Sequence, residues 1–159
     1  MRKIIQLHPW PIFALLIILV FAPNFFSTPE VKKVCGFIFV LFMVTWFYSA
    51  GTNLYKKTTI KLNLSFFQIN LAIIVLSLLV TYLAPLHNNN IILTSFTSIL
   101  AVYAVISVMY SCYFITKLLV SIELKKAIDF KDWFPTFLMV LFLIVGIWWI
   151  QPRIKEALQ

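Results

Sequence analysis

The chain has 159 residues, of which 62% are hydrophobic and 11% are charged, and its formal net charge is +8. A soluble domain of ordinary composition has about 45–50% apolar and about 25% charged residues. The composition of this chain therefore excludes an ordinary soluble domain. The basic residues form small clusters between apolar runs, which is typical of membrane orientation signals, and we expect no nucleic-acid partner.

A long uncharged stretch predicts the fold class. Residues 62–116, between Lys61 and Lys117, contain no Asp, Glu, Lys or Arg. Such charges are costly at a bilayer centre, and about 20 apolar residues in a helix cross a hydrocarbon core of about 30 Å. We therefore predict an all-α, polytopic transmembrane helix bundle in one membrane domain. Its five spans lie near residues 10–27, 31–53, 64–84, 91–117 and 133–151.

The first predicted span has the shortest apolar core, residues 12–22, with two basic residues ahead of it. A signal peptide has the same layout, but the bulky Phe25 and Phe26 stand where small residues would mark a cleavage site. We predict an uncleaved first helix. An interfacial or re-entrant segment is the alternative and would leave four spans.

The second and third spans have clear boundaries. Thr28 is a suitable N-cap, Pro29 fits the first helical position, and Glu30 suits the positive end of the helix dipole. The third span ends before Pro85, and the polar residues 87–90 that follow predict a loop.

The fourth helix has no stop signal at Lys117, so we predict a cytoplasmic helical extension over residues 118–131, in which Glu123 pairs with Lys126. Asp132 is the predicted N-cap of the fifth helix. That helix ends at a pair of tryptophans, as expected for a residue type that favours the headgroup zone.

The lysine and arginine distribution predicts orientation. With the N-terminus inside, nine basic residues lie on the inner side and four on the outer side, which favours a cytoplasmic N-terminus and a periplasmic C-terminus. The inner set is Arg2, Lys3, Lys56, Lys57, Lys61, Lys117, Lys125, Lys126 and Lys131, and the outer set is Lys32, Lys33, Arg153 and Lys155.

Residues able to do chemistry are scattered. All five acids fall at helix ends or in loops, and His8 and His87 are predicted on opposite sides of the membrane. Cys35 and Cys112 are isolated within apolar segments. We therefore predict no catalytic, cofactor-binding or metal site, and we do not expect an enzyme.

The fourth helix carries small and hydroxyl-bearing residues on one face. They step by four, three, three and four positions and are Thr97, Ala101, Ala104, Ser107 and Ser111. Small residues let a second helix approach closely, and hydroxyl groups can bond across the contact. The face therefore serves packing inside the bundle, contact with a partner or a second copy, or a solute path.

A basic and aromatic strip is predicted on the inner face. It consists of Lys125, Lys126, Phe130, Lys131 and Trp133. Attraction to anionic membrane lipids explains this composition, and a cytoplasmic docking site is the alternative.

Three strings resemble a family of small uncharacterised membrane proteins of Bacteroidota-type bacteria. They lie at residues 35–54, 112–124 and 146–154, and the most specific is Gly-Ile-Trp-x-Ile-Gln-Pro-Arg, which begins at Gly146. Family members often carry a proline just before this string, where the present chain has Ile144 and Val145. The resemblance implies a small polytopic membrane protein and no assigned activity.

These patterns favour a bacterial inner-membrane protein that acts by binding, as an accessory subunit or an immunity-type protein of another membrane component. A small transporter or oligomeric channel is the alternative. A membrane enzyme that modifies lipids is the least favoured, because the acids, histidines and cysteines do not converge at one depth.

Overall fold

A computed structural model of the chain describes Ile5 and residues 7–25, 28–83, 91–125 and 128–159, and over these residues it contains helices and no strands. The predicted all-α fold is confirmed. The six helices are α1 (Pro9–Phe25), α2 (Pro29–Tyr55), α3 (Leu64–Leu83), α4 (Ile91–Leu124), α5 (Phe130–Leu141) and α6 (Leu143–Leu158).

Three of these helices, α2, α3 and α4, are long and apolar enough to cross a membrane, and α1 is a shorter apolar helix of 17 residues. Large apolar side chains point away from the protein on every one of them, such as Phe21 at 53% and Ile99 at 70% exposure. A surface of this kind is stable in lipid and not in water. The chain is a multi-pass integral membrane protein.

All six helices contribute to the core, and its largest aromatic side chains lie where α2, α3 and α4 converge. Trp46, Phe67 and Phe114 are fully buried, and the rings of Phe67 and Phe114 stack with centroids 4.3 Å apart. Gly51 makes this approach feasible, because a Cβ atom at that position would lie 2.6 Å from the Phe67 ring.

The core occupies one end of the bundle. We call it the basic end, because it carries the turn at Lys56 and Lys57 that follows α2. In α4, no side chain from Ser95 to Ile106 is buried, whereas most side chains from Ser111 to Ser121 are. The opposite half of α4 is therefore left largely uncovered by the described helices.

The predicted continuous fifth span is wrong. Helix α5 ends at Leu141, Phe142 adopts φ −92° and ψ 52°, and α6 begins at Leu143. Helices of 12 and 16 residues are about 18 and 24 Å long, so neither crosses a 30 Å core by itself.

The chain reverses direction at Phe142. A Cβ atom on Gly146 would lie 2.7 Å from the carbonyl carbon of Met139, so the two backbones touch just past the bend. Further along, the guanidinium of Arg153 reaches the hydroxyl of Thr136 at 3.1 Å. Helices α5 and α6 therefore form an antiparallel hairpin.

The hairpin returns the chain to the basic end. Lys57 Nζ lies 3.5 Å from the carbonyl oxygen of Gln159, and Arg153 pairs with Glu123 at the end of α4. Residues in direct contact lie on the same side of the membrane. The prediction that Arg153 and Lys155 lie across the membrane from Lys57 and Glu123 is therefore wrong.

Helix boundaries differ from the sequence predictions in detail. Helix α2 begins at Pro29 with Thr28 as N-cap, although the Thr28 side chain makes no capping hydrogen bond. Helix α4 ends at Leu124, and α5 has Asp129 as N-cap. The predicted cap Asp132 lies three residues later instead, and its carboxylate accepts a hydrogen bond from the Asp129 N–H at 3.2 Å.

Several predicted features lie outside the described residues. They are Arg2, Lys3, Lys126, Pro85, His87 and the loop over residues 87–90.

Candidate functional site

The predicted small-residue face of α4 is divided by the fold. Ser107 and Ser111 are fully buried, and the Ser111 hydroxyl donates to the Ser107 carbonyl at 2.8 Å. Thr97 and Ala104 are half-buried, whereas Ala101 is exposed. The serines thus pack inside the bundle, and only the edge of the predicted face is accessible to another molecule.

Serine, alanine and valine side chains are exposed on the uncovered half of α4. With 100° of rotation per residue, they share a face next to the predicted one. We call this set the bare face; its members are Ser95, Ser98, Ala101, Val102 and Val105. Sequence spacing alone did not identify the bare face. The side of α4 that meets the other helices depends on where those helices pack.

The predicted basic and aromatic strip is partly accessible. Lys125, Phe130 and Lys131 are exposed, Phe130 at 60%. Trp133 is half-buried, with its ring edge-on to Tyr113 at 5.2 Å. Lys125, the residue that follows α4, adopts the left-handed backbone conformation with φ 50°. Trp133 therefore packs α5 against α4, and its side chain is only partly accessible.

Gln151 holds together three parts of the chain. Its side-chain oxygen accepts a hydrogen bond from the Trp46 indole N–H at 3.1 Å, and its Nε2 donates to the Ile5 carbonyl at 2.6 Å. Gln151 and Trp46 are both fully buried. Because an unpaired amide is costly in an apolar core, this arrangement fixes α6 against α2 and the N-terminal segment. The only sequence signal was a glutamine at the end of an apolar run, just before Pro152 and Arg153.

An ion pair fastens α6 to α4. Arg153 donates from Nε to Glu123 Oε1 at 2.8 Å and from a terminal nitrogen to Oε2 at 2.5 Å. The predicted partner of Glu123, Lys126, is not described. The geometry is bidentate, which is the stronger form of this contact. About a third of each side chain is exposed, so the pair lies near the rim of the basic end.

Residues with catalytic or metal-binding chemistry do not converge in the described part of the chain. Within it there is no group of three His, Cys, Asp or Glu side chains that could hold a metal ion, and Cys35 and Cys112 are both free thiols. Of the buried polar side chains described above, those of Trp46, Ser111 and Gln151 bond one another or the backbone, whereas the Ser107 hydroxyl has no hydrogen-bond partner. Their arrangement serves helix packing.

Fold and surface together define the class, an all-α multi-pass integral membrane protein. Comparison with protein-family models, curated proteins and solved structures finds no match.

Proposed function

We propose that the protein acts by binding a transmembrane helix of another membrane protein, as an accessory subunit or an immunity-type protein of the bacterial inner membrane. The bare face of α4 is the proposed contact surface. The observation that carries the proposal is the exposure of three small side chains, Ser95, Ser98 and Ala101, beside two valines on a helix half that the described helices leave uncovered.

Helix association in lipid depends on close packing and interhelical hydrogen bonds, since burying apolar surface gains little there. Small residues permit that close approach. The bare face supplies them, and the large side chains beside it, Ile99 and Ile106 at 70% and 57% exposure, would flank the contact. The serines at positions 95 and 98 add hydroxyl groups to the same surface.

Site-specific crosslinking in native membranes tests the proposal. A photoreactive side chain at Val102 is expected to form an adduct with one membrane protein that also copurifies in mild detergent at a fixed ratio. The same probe at Leu79, which is exposed on α3, serves as the control and is expected to form no such adduct.

A matched pair of substitutions makes the test specific. Ala101→Phe adds a ring to the bare face and is expected to abolish the adduct, because the partner backbone can no longer approach. Ala14→Phe adds the same ring to an exposed position on α1 and is expected to leave the adduct intact. An adduct only with a second copy of this chain, or an adduct insensitive to Ala101→Phe, would refute the proposal.

Transport is the alternative function, and the hairpin favours it. Discontinuous helices often form substrate sites in transporters, with exposed backbone groups at the break. Here, however, the residue at the break is Phe142, whose side chain is 66% exposed. Solute flux into liposomes that is lost in Ala104→Phe, a substitution on the half-buried side of α4, would favour transport over binding.

A further inference from the structure

A cavity of about 500 Å³ opens at the basic end, apart from the bare face of α4. The three chain segments that form it are the N-terminal segment, the end of α2 and the end of α6. The lining residues are Ile5, Asn53, Lys56, Lys57, Lys155, Leu158 and Gln159. Its volume falls within the range of about 300–1,000 Å³ that is common for small-molecule sites.

The lining is strongly cationic. Its described residues include three lysines and the amide groups of Asn53 and Gln159, and none of them has a carboxylate side chain. The two acids of the neighbouring region, Glu123 and Glu156, line a different groove together with Arg153, and Glu123 is already paired there. No carboxylate side chain of the described lining offsets the three lysines, and the main-chain oxygen of Gln159 contacts one of them, Lys57.

Polar and apolar parts of the cavity are arranged for an amphiphilic anion. Ile5 is 2% exposed and, with Leu158, supplies apolar wall. The Nζ atom of Lys57 lies 3.5 Å from the main-chain oxygen of Gln159, which also lines the cavity. The cationic groups thus stand beside a small apolar surface.

The depth of the cavity matches the headgroup layer of a membrane. It lies at the point where α2, a membrane-spanning helix, ends at Tyr55 and passes into Lys56 and Lys57. Lys155 joins them because the hairpin brings α6 back to this end. With a continuous fifth span the third lysine would lie on the opposite side of the membrane.

We propose that this cavity binds a phosphate-bearing anion through Lys56, Lys57 and Lys155. A phosphate group offers several acceptor oxygens and a full negative charge, which suits a cavity lined by three lysines. The source is an anionic phospholipid headgroup or a free phosphate compound, and the experiment below distinguishes the two.

Binding is measured by native mass spectrometry and by titration of the detergent-purified protein with dioctanoyl phosphatidylglycerol. One saturable site is expected. Each Lys→Gln change at the cavity is expected to weaken binding about fivefold, as a contribution of about one kcal/mol per lysine implies, and Lys57→Gln/Lys155→Gln about 25-fold. Lys61→Gln removes an exposed lysine of the basic end that does not line the cavity and is the matched control, with no effect expected.

Two further ligands identify the source of the phosphate. Dioctanoyl phosphatidylcholine carries a phosphate with no net charge on the headgroup and is expected to bind at least tenfold more weakly. Inorganic phosphate that binds with the same lysine dependence would support the site and identify a free phosphate compound as its ligand. Displacement of phosphatidylglycerol only by other anionic lipids would identify the lipid.

Two results would overturn the proposal. One is equal weakening by Lys61→Gln and by the cavity substitutions, which would show general surface attraction. The other is the absence of a saturable site for both phosphatidylglycerol and phosphate. Misfolding does not obscure either result, because Lys56 and Lys57 are exposed and the melting temperature of each variant is measured in parallel.

Discussion

The bend at Phe142 depends on Gly146, and replacing this glycine by alanine tests the hairpin directly. An alanine Cβ at this position would lie 2.7 Å from the Met139 carbonyl carbon, whereas ordinary contact begins at 3.4 Å. The neighbour is backbone, so no side-chain rotation relieves the overlap. The Met139 carbonyl oxygen is nearer still, so helices α5 and α6 would have to separate at the bend by more than the roughly 0.7 Å that the carbonyl carbon alone requires.

The size of the effect follows from two opposing contributions. Overpacking against a rigid neighbour costs about 3 kcal/mol at the upper end, and alanine gains about 1 kcal/mol of helix propensity, so the net loss is about 2 kcal/mol. For a domain of this size that loss lowers the melting temperature by about 4–8 °C. Differential scanning fluorimetry in mild detergent measures it.

Gly36 supplies the matched control. A Cβ atom on Gly36 meets no atom within 4 Å, so Gly36→Ala is expected to leave the melting temperature unchanged or raise it slightly. If Gly146→Ala proved as stable as Gly36→Ala, the close approach of Gly146 to Met139 would be refuted, and the antiparallel hairpin with it.

Three further predictions concern the contacts of α6. Trp46→Phe removes the indole N–H that donates to the buried amide of α6, and is expected to lower stability by about 1 kcal/mol in the same thermal assay. Glu123→Arg is expected to destabilise the protein by placing two cations together, and Arg153→Glu in the same chain is expected to restore the melting temperature. Single cysteines replacing Lys57 and Lys155, in a background without the native cysteines, are expected to react with an impermeant maleimide from the same side of sealed vesicles.

Controls for these predictions come from exposed positions. Trp149, on α6, is 55% exposed, so Trp149→Phe is expected to leave stability unchanged. Lys32, near the start of α2, is expected to be labelled from the side opposite to Lys57. Labelling of Lys57→Cys and Lys155→Cys from opposite sides would contradict the shared basic end, and a double charge swap no more stable than Glu123→Arg would contradict the ion pair.

Much of the fold follows from local composition. Charge-free stretches long enough to span a bilayer predict α3, and the Thr28-Pro29-Glu30 sequence predicts where α2 begins, because those residues act on the chain next to them. The accessible part of α4 could not be predicted in the same way. Helix periodicity identifies residues that share a face, but the exposure of Ala101 beside the buried Ser107 depends on which neighbours reach that depth.

The hairpin is the feature that the sequence conceals most. An apolar run ending in paired tryptophans is equally typical of a spanning helix, and neither proline nor a polar residue marks Phe142. The chain bends there without a proline, since Ile144 and Val145 precede Gly146. Glycine permits the two backbones to touch, whereas proline would act by removing a hydrogen-bond donor.

The hairpin also changes the charge balance across the membrane in a consistent way. Of the described lysines and arginines, eight now lie toward the basic end and two, Lys32 and Lys33, toward the other; the eight are Lys56, Lys57, Lys61, Lys117, Lys125, Lys131, Arg153 and Lys155. Such asymmetry is what the positive-inside rule associates with the cytoplasmic side. A hairpin that returns to its starting side therefore agrees with the basic residues better than a fifth crossing does. The same rearrangement brings Lys155 to Lys56 and Lys57, so the side of the membrane on which α6 ends and the proposed anion site depend on one bend.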